Sequence, residues 1–489
     1  MILNQVSSRS VSASVYLAGS AVASAIISIV ASEILMALAL VALFIPPRQR
    51  IRWPAVTAPL VLWMVWTLVS LAASGHPREG LPQVKKFIWF AMLFVVYNAI
   101  RELRHIRGVV LACVTAAALS SAWGMVQFAR KYRAYEAARA AYPNFYTFYV
   151  ADRITGFMGH WMTFSGQMMM TLVLLAALIL FSRVLYEDRG GKWWLGAAGV
   201  LIAVALFIAE TRSMWGGAVA GVIYLLWFSR RWMIVAVPAL AAILYLANPF
   251  SARERMISIV RPHGDLDSNQ HRAVLRRIGM EMIRAHPLLG VGPEQVGKQY
   301  QQYIPPDIPR PLPTGYYGHL HNIYFHYAAE RGLPALAALL WFLGQALYDF
   351  ARKLRRLPES AGRAQGRLGP SNSEGPADTP PSIPCSGSAS LCGRTSPETA
   401  QRSLSRADRR RFLVPRAAPA LRRCQDARWI LHGAIAVILA MMVGGYFEVN
   451  LGDSEVLAMF LGVIGCGYAA VSALDREVGA GSDSLSARR

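Results

Sequence analysis

Acidic residues are scarce in this chain, with 28 Asp and Glu among 489 residues against 50 Lys and Arg. Charge of either sign is thin as well: charged residues make up 16%, where soluble domains carry about a quarter. With 54% hydrophobic residues, much of the chain must be solvated by lipid rather than by water. Cysteine is nearly missing. Cys113 and Cys466 fall inside apolar runs and Cys385, Cys392 and Cys424 in a basic stretch, so no disulfide framework is implied. The start lacks a cleavable-signal pattern, because its first apolar run has no basic n-region of the usual kind and continues for about thirty residues. No internal repeat is found.

What the sequence does have is one apolar run after another, each close to the roughly 20 residues that cross a bilayer. Val15–Ile45 is long enough for two short spans broken near Ala31–Glu33. Further spans read at Pro54–Ala73, Phe87–Ile100, Ile106–Phe128, Met162–Ser182, Trp193–Ala209, Ser213–Phe228 and Trp232–Asn248. The last are Ile323–Tyr348, Trp429–Phe447 and Ser454–Leu474. Basic residues collect in cytoplasmic loops of membrane proteins. Twelve spans with the N-terminus inside put Arg48–Arg52, Arg101–Arg107, Arg183–Lys192, Arg230–Arg231 and the long Ala351–Arg428 segment on that side. Lys85, Lys86 and the basic residues of Ala129–Trp161 are outnumbered exceptions.

The expected organisation is all-α and polytopic. A transmembrane bundle of about nine spans fills 1–248, an outer loop 249–321, and one helix 322–350. A basic cytoplasmic loop follows over 351–428, then two helices and a tail over 429–489. Ala351–Arg428 holds 16 Lys and Arg against 6 Asp and Glu, a large part of the net charge of +22. Aromatics are not interleaved with its basic residues as an RNA-binding surface needs, so nucleic acid is not the expected partner. Arg363–Ala400, rich in Ser, Pro and Gly, reads as a disordered linker. Arg409, Arg410 and Arg411 are able to touch anionic lipid headgroups.

Ionisable groups at membrane depth are costly and therefore candidates for function. Arg212 lies in a short turn, Glu210–Ser213, between two apolar runs, and Gly216, Gly217 and Gly221 on the next helix let another backbone or a ligand approach. A headgroup-facing Arg paired with Glu210 is the bland alternative. In the outer loop His271–Ala285 reads as a helix, with Val274, Ile278 and Met282 every four residues and Leu275 beside them. Arg272 and Arg276 share one face and suit a phosphate or pyrophosphate, since Arg binds such oxygens bidentately. The alternative is an amphipathic helix resting on the membrane, with Arg277 and Glu281 as a surface pair. Pro287 and the glycines of His286-Pro-Leu-Leu-Gly-Val-Gly292 end it.

His319-Leu-His321-Asn322 marks the return to the membrane, and a neutral His there is a plausible general base. Two histidines are too few for zinc, and Asp265-x-Asp267 is too weak alone, so no metal is expected. Glu330 and Arg331, deeper in the span, are read as neutralising each other.

His321-Asn322, nine residues, then Gly332 resembles the His-[Asn/Ser/Gln]-x9-Gly-x-x-Gly signature of bacterial O-antigen ligases, in the O-antigen ligase/polymerase superfamily. The run from Arg272 to Gly292 and the Thr-Arg-Ser turn at Arg212 look like that family's other two blocks. The signature's final Gly is Ala335 here. The resemblance implies a GT-C-like fold of about twelve transmembrane helices with a large helical periplasmic loop, in the bacterial inner membrane. It implies a glycosyltransferase without metal or other cofactor. The donor would be a glycan on undecaprenyl pyrophosphate and the acceptor a sugar hydroxyl of lipid A–core. By the same resemblance His321 deprotonates the acceptor, Arg212 and Arg272 hold the pyrophosphate, and Arg276, His319 and Asn322 bind substrate. An O-antigen or exopolysaccharide polymerase, with a second lipid-linked glycan as acceptor, is the alternative of the same class. A flippase is the alternative of another class, and it would predict inverted repeats and polar residues along a midplane path.

Overall fold

In hydrocarbon every backbone N–H and C=O must be satisfied within its own segment, so apolar runs of this length become helices. The computed structural model describes residues 2–45, 50–142, 144–182, 189–257, 268–357 and 419–486. Among them there is no strand. By its contacts the chain divides into Met1–Leu357 with Gln425–Arg489 and a second unit, Pro358–Cys424. The linker read at Arg363–Ala400, Arg409–Arg411, Cys385, Cys392 and Asp265-x-Asp267 lie outside the described residues.

The first unit runs α1 (Ile2–Ser24), α2 (Ile29–Phe44), α3 (Thr57–Ala73), α4 (Pro77–Lys85), α5 (Phe90–Ala99) and α6 (Leu103–Ala138). After these come α7 (Phe145–Tyr149), α8 (Trp161–Phe181), α9 (Arg189–Ile208), α10 (Arg212–Ser229), α11 (Ala236–Ala247) and α12 (Ala252–Ile257). The loop carries α13 (Ser268–Ala285) and α14 (Val296–Gln299), and the chain returns in α15 (Ile323–Arg356), α16 (Pro419–Gly445) and α17 (Ser454–Ser486). Six of these are long and apolar enough to cross a membrane, and four shorter apolar helices accompany them.

The first apolar run does break, but at Ala25–Ser28 rather than near Ala31–Glu33. Ser28 decides the place: its hydroxyl accepts from the Ala31 N–H and caps α2. The core lies around α8 and α17, which are largely buried, while α11 has no buried residue and faces outward.

The outer helix α13 begins three residues before the expected start. Its inward stripe is Leu275, Ile278 and Met282, all fully buried, with Val274 only partly so. They pack on Leu320, Val291, Val296 and Ala329 of the loop and of α15. An apolar face already covered by its own protein is not resting on lipid, which removes the surface-helix alternative. The expected Arg277–Glu281 pair is also corrected. Arg277 donates from Nη2 to both oxygens of Asp307 at 2.7 Å, and Glu281 takes Arg284 at 2.7 Å instead.

Helix α15 is interrupted at Gly332 (φ 83°), just before Pro334. Here the returning chain is clamped to the 249–321 loop. Val291 N–H donates to the Ala329 carbonyl (2.8 Å), Gly292 N–H to Glu330 (2.9 Å) and Leu333 N–H to Pro287 (2.8 Å). A Cβ on Gly332 would run into the Leu288 carbonyl, and one on Gly290 (φ 67°) into the backbone of Glu330. Both glycines are needed because two main chains touch there. The Glu330 carboxylate accepts the Glu294 N–H at 2.6 Å and lies 3.2 Å from Arg331, the neutralising pair expected. Arg331 is wholly buried between the rings of Trp63 (4.7 Å) and Tyr327 (4.6 Å).

Candidate active site

The 249–321 loop re-enters the bundle through a strained turn. His321 sits at φ 46°, a left-handed conformation that a residue with a Cβ holds only when its surroundings impose it. Asn322 supplies the constraint. Its side-chain oxygen caps α15 by accepting from the Tyr324 (2.9 Å) and Phe325 (3.0 Å) N–H groups, and its amide donates to the Tyr446 carbonyl at 2.8 Å. The side chain of Asn322 is thus engaged in holding α15 to the end of α16. The His321 ring stands against those of His319 (4.2 Å between centroids) and His271 (5.5 Å).

From the other side comes Glu448, just beyond the end of α16. Its Oε2 is 2.9 Å from His321 Nδ1, and its Oε1 accepts from Arg272 Nη2. Glu448 is 3% exposed, His321 11% and Arg272 21%, so the trio is half-closed from solvent with Arg272 at its mouth. Burial opposes ionisation of Glu448, but the hydrogen bond from His321 and the charge of Arg272 outweigh it and hold the carboxyl below its usual range. An ionised carboxylate only accepts hydrogen bonds. In the neutral imidazole the proton between the two therefore sits on His321 Nδ1, which puts the lone pair on Nε2. Arg272 Nε is buried and has no hydrogen-bond partner among the described residues.

The neighbouring histidines are held neutral. Burial above all, and then repulsion from His321 whenever that ring is protonated, pushes His319 down to about 3. The same causes bring His271 to about 4. Arg276, one turn beyond Arg272, is exposed and makes no ion pair or hydrogen bond among the described residues.

Arg212 opens α10 two residues after Glu210, another left-handed residue (φ 49°), with Thr211 between them as N-cap. Its Nη2 donates to Asn269 at 3.3 Å, on the first turn of α13 and three residues before Arg272. The Glu210 carbonyl accepts from Arg255 Nε (2.9 Å) and Arg153 Nη1 (3.3 Å). Gly217 and Gly221 let α10 lie on the backbone of α16, where an added Cβ would come within 2.6 Å of the Ala440 carbonyl and 3.1 Å of that of Ala436. The start of α10 and the end of α16 are thereby fixed together, and with them Arg212 and the strand of chain that presents Glu448.

The structure brings together His321, Arg272 and His319, and ties Arg212 to Asn269, which lies one turn before Arg272 on α13. Sequence reading missed Glu448. The available signal was a lone carboxylate closing an apolar run, Gly444-Gly445-Tyr446-Phe447-Glu448, which is uncommon unless it has a partner. Among the described residues no group of three or more His, Cys, Asp or Glu is arranged to hold a metal ion.

Residues 197–340 match the family model of O-antigen ligase, Wzy_C. This segment belongs to the O-antigen ligase superfamily. No curated protein matches the chain. The matched O-antigen ligase segment contains Arg212, Arg272, His319, His321 and Gly332, and stops well short of Glu448. The family supports ligase- or polymerase-type glycosyl transfer between a lipid-linked glycan and a lipid-anchored acceptor. Together with the apolar helices it makes this a multi-pass membrane protein.

Proposed function

We propose that the chain is an O-antigen ligase of the bacterial inner membrane, crossing it about twelve times with the 249–321 loop in the periplasm. It transfers a glycan from undecaprenyl pyrophosphate to a sugar hydroxyl of lipid A–core, without a metal. The observation that carries this reading is the Glu448–His321 pair at 2.9 Å with Arg272 on the same carboxylate.

In this mechanism His321 Nε2 takes the proton of the acceptor hydroxyl as its oxygen attacks the anomeric carbon. The bond from that carbon to the pyrophosphate oxygen breaks, the configuration inverts, and undecaprenyl pyrophosphate leaves with the electron pair. Glu448 stabilises the imidazolium that forms, as a buried carboxylate does for any histidine base. The departing pyrophosphate needs cations placed in advance. Arg272 offers its partly exposed guanidinium at the mouth of the trio, and Arg212 approaches from the adjoining turn. His319, neutral, serves as a polar wall, Asn322 positions His321 from behind, and Arg276 is left to meet the donor at the rim.

The test is a transfer assay with purified protein and EDTA present, offering lipid A–core and a second lipid-linked glycan in parallel. The expected product is glycosylated lipid A–core, absent with His321→Ala. Extension of the lipid-linked glycan instead would assign the polymerase reaction, and full activity of His321→Ala would remove the base from the mechanism.

A further inference from the structure

At the other end of α15 lies a second polar cavity, unrelated to the trio around His321. The straight part of the helix after its break, Leu333–Arg356, extends about 36 Å at about 1.5 Å per residue, more than the ~30 Å of a bilayer's hydrocarbon core. The cavity, of about 370 Å³, is therefore on the opposite membrane face. Its walls come from three places: Arg352, Lys353 and Arg356 at the end of α15, Trp53 and Tyr97 from the segment before α3 and from α5, and Tyr468 and Ser472 of α17.

Its charges do not balance. Asp349 is engaged by the Tyr468 hydroxyl (2.7 Å) and the Gln345 amide (3.0 Å), and Asp475 by Lys353. Arg352 and Arg356, four residues apart on one helix face, have no ion pair or hydrogen bond among the described residues. Behind the cavity Arg52 lies over the Tyr97 ring at 4.6 Å, donating to the Tyr97 carbonyl (2.9 Å) and to the Ser472 hydroxyl. Its Nε is buried without a hydrogen-bond partner. Arg476 and Arg101 stand close enough to add like charge to it, and Arg476 itself donates to the Arg101 carbonyl at 2.6 Å.

Basic residues at the cytoplasmic ends of helices are usual, and they complement the helix dipole. Those reasons explain exposed arginines. They do not explain a half-buried guanidinium behind a cavity, its Nε without a partner, beside two more of like charge, with the Ser472 hydroxyl and exposed arginines converging on the same space.

We propose that this cavity binds a phosphate ester. Arg352 and Arg356 fork onto its oxygens, Lys353 and the Ser472 hydroxyl complete the shell, and the Arg52 cluster beneath supplies the field. Arginine suits the task because its planar fork matches phosphate geometry. The phosphate has two possible sources: the headgroup of an anionic lipid, for which exposed Trp53 marks the interface, or a soluble phosphorylated molecule. In either case the site is separate from the glycosyl-transfer centre and does not depend on the reading of that centre.

Native mass spectrometry of the full chain, stripped of lipid in detergent, tests this with phosphatidylglycerol, phosphatidylethanolamine and glycerol 3-phosphate as probes. One phosphatidylglycerol per chain should be retained in preference to phosphatidylethanolamine, with affinity lowered about 10-fold or more in R352Q/R356Q. Both changes are on exposed side chains, and the single variant R352Q, expected to fall between, covers the case in which the double variant folds poorly. Displacement by glycerol 3-phosphate assigns the soluble source, and its failure to displace assigns the lipid. Binding of phosphatidylglycerol and of glycerol 3-phosphate that is equal in wild type and both variants would overturn the proposal.

Discussion

Glu448 holds His321 on one oxygen and Arg272 on the other, joining the base of the proposed reaction to the cation of its leaving group through one buried carboxylate. His321 and Glu448 are 127 residues apart in sequence. The link matters because it fixes which imidazole nitrogen is basic, and no described residue of the 249–321 loop hydrogen-bonds His321 Nδ1.

Replacing Glu448 by Gln keeps the shape and removes the charge. The imidazole is then free to adopt the other tautomer, and the imidazolium is no longer stabilised. Glu448→Gln should lower kcat by about 10²–10⁴-fold, in the range of a misdirected or unsupported base, with KM little changed. Two groups acting as one unit are not additive. The double variant with His321→Ala should therefore be no slower than His321→Ala alone, and losses that multiply would separate the two residues.

Arg272→Lys keeps a positive charge near Glu448 but cannot fork. Losing one charge-assisted hydrogen bond to the departing pyrophosphate should slow transfer by about 10–100-fold. Arg276, exposed and unpaired among the described residues, should tolerate Ala within about threefold, since an exposed contact contributes little. Steady-state kinetics with varied donor decides both, and unchanged turnover in Arg272→Lys would remove that residue from the leaving-group site.

How far this arrangement was legible beforehand depends on whether the partners were near in sequence. Apolar runs and turn residues announced most helices, and the Gly217–Gly221 spacing announced a close backbone. The break of the first run was misplaced because alanine-rich sequence gave no cue, and Ser28 acts only once its hydroxyl finds the Ala31 N–H. The face of α13 was off by one residue because Val274 and Leu275 are equally apolar, and only packing on Leu320 and Ala329 chooses between them. Glu448 was invisible as a site residue. Its importance lies in where α16 ends relative to the loop, and no local pattern encodes that.

Glu210 offers a pH-dependent test. Burial pushes its carboxyl up to about 7, against the opposing pull of Arg255 and Arg153, while Glu254 adds to the rise. Its folded pKa thus exceeds the unfolded value of 4.5, so between those values the native state holds more protons. The stability from this group is present below about pH 4.5 and is lost as pH rises through about 7. Glu210→Gln lacks that term. Its Tm relative to wild type should climb by a few degrees between pH 4.5 and 7 and level off above. A difference independent of pH would show that the carboxyl does not titrate there.

The two small residues of the signature should respond in opposite measure. Gly332 combines a positive φ with main-chain contact to Leu288, so Gly332→Ala meets both backbone strain and a collision with a carbonyl that cannot rotate away. Strain alone costs about 1–3 kcal/mol, and relief requires opening the clamp between Pro287–Gly292 and α15. Ala335 is buried within helix, and Ala335→Gly, the residue the signature prefers, removes one methyl and loosens the helix by about 1 kcal/mol. Thermal unfolding in detergent should therefore show a large loss for Gly332→Ala and a small one for Ala335→Gly. Transfer activity of Gly332→Ala should fall with it, because the clamp carries the His321 turn. Retained stability in Gly332→Ala would mean that the loop and α15 are not locked together at this point.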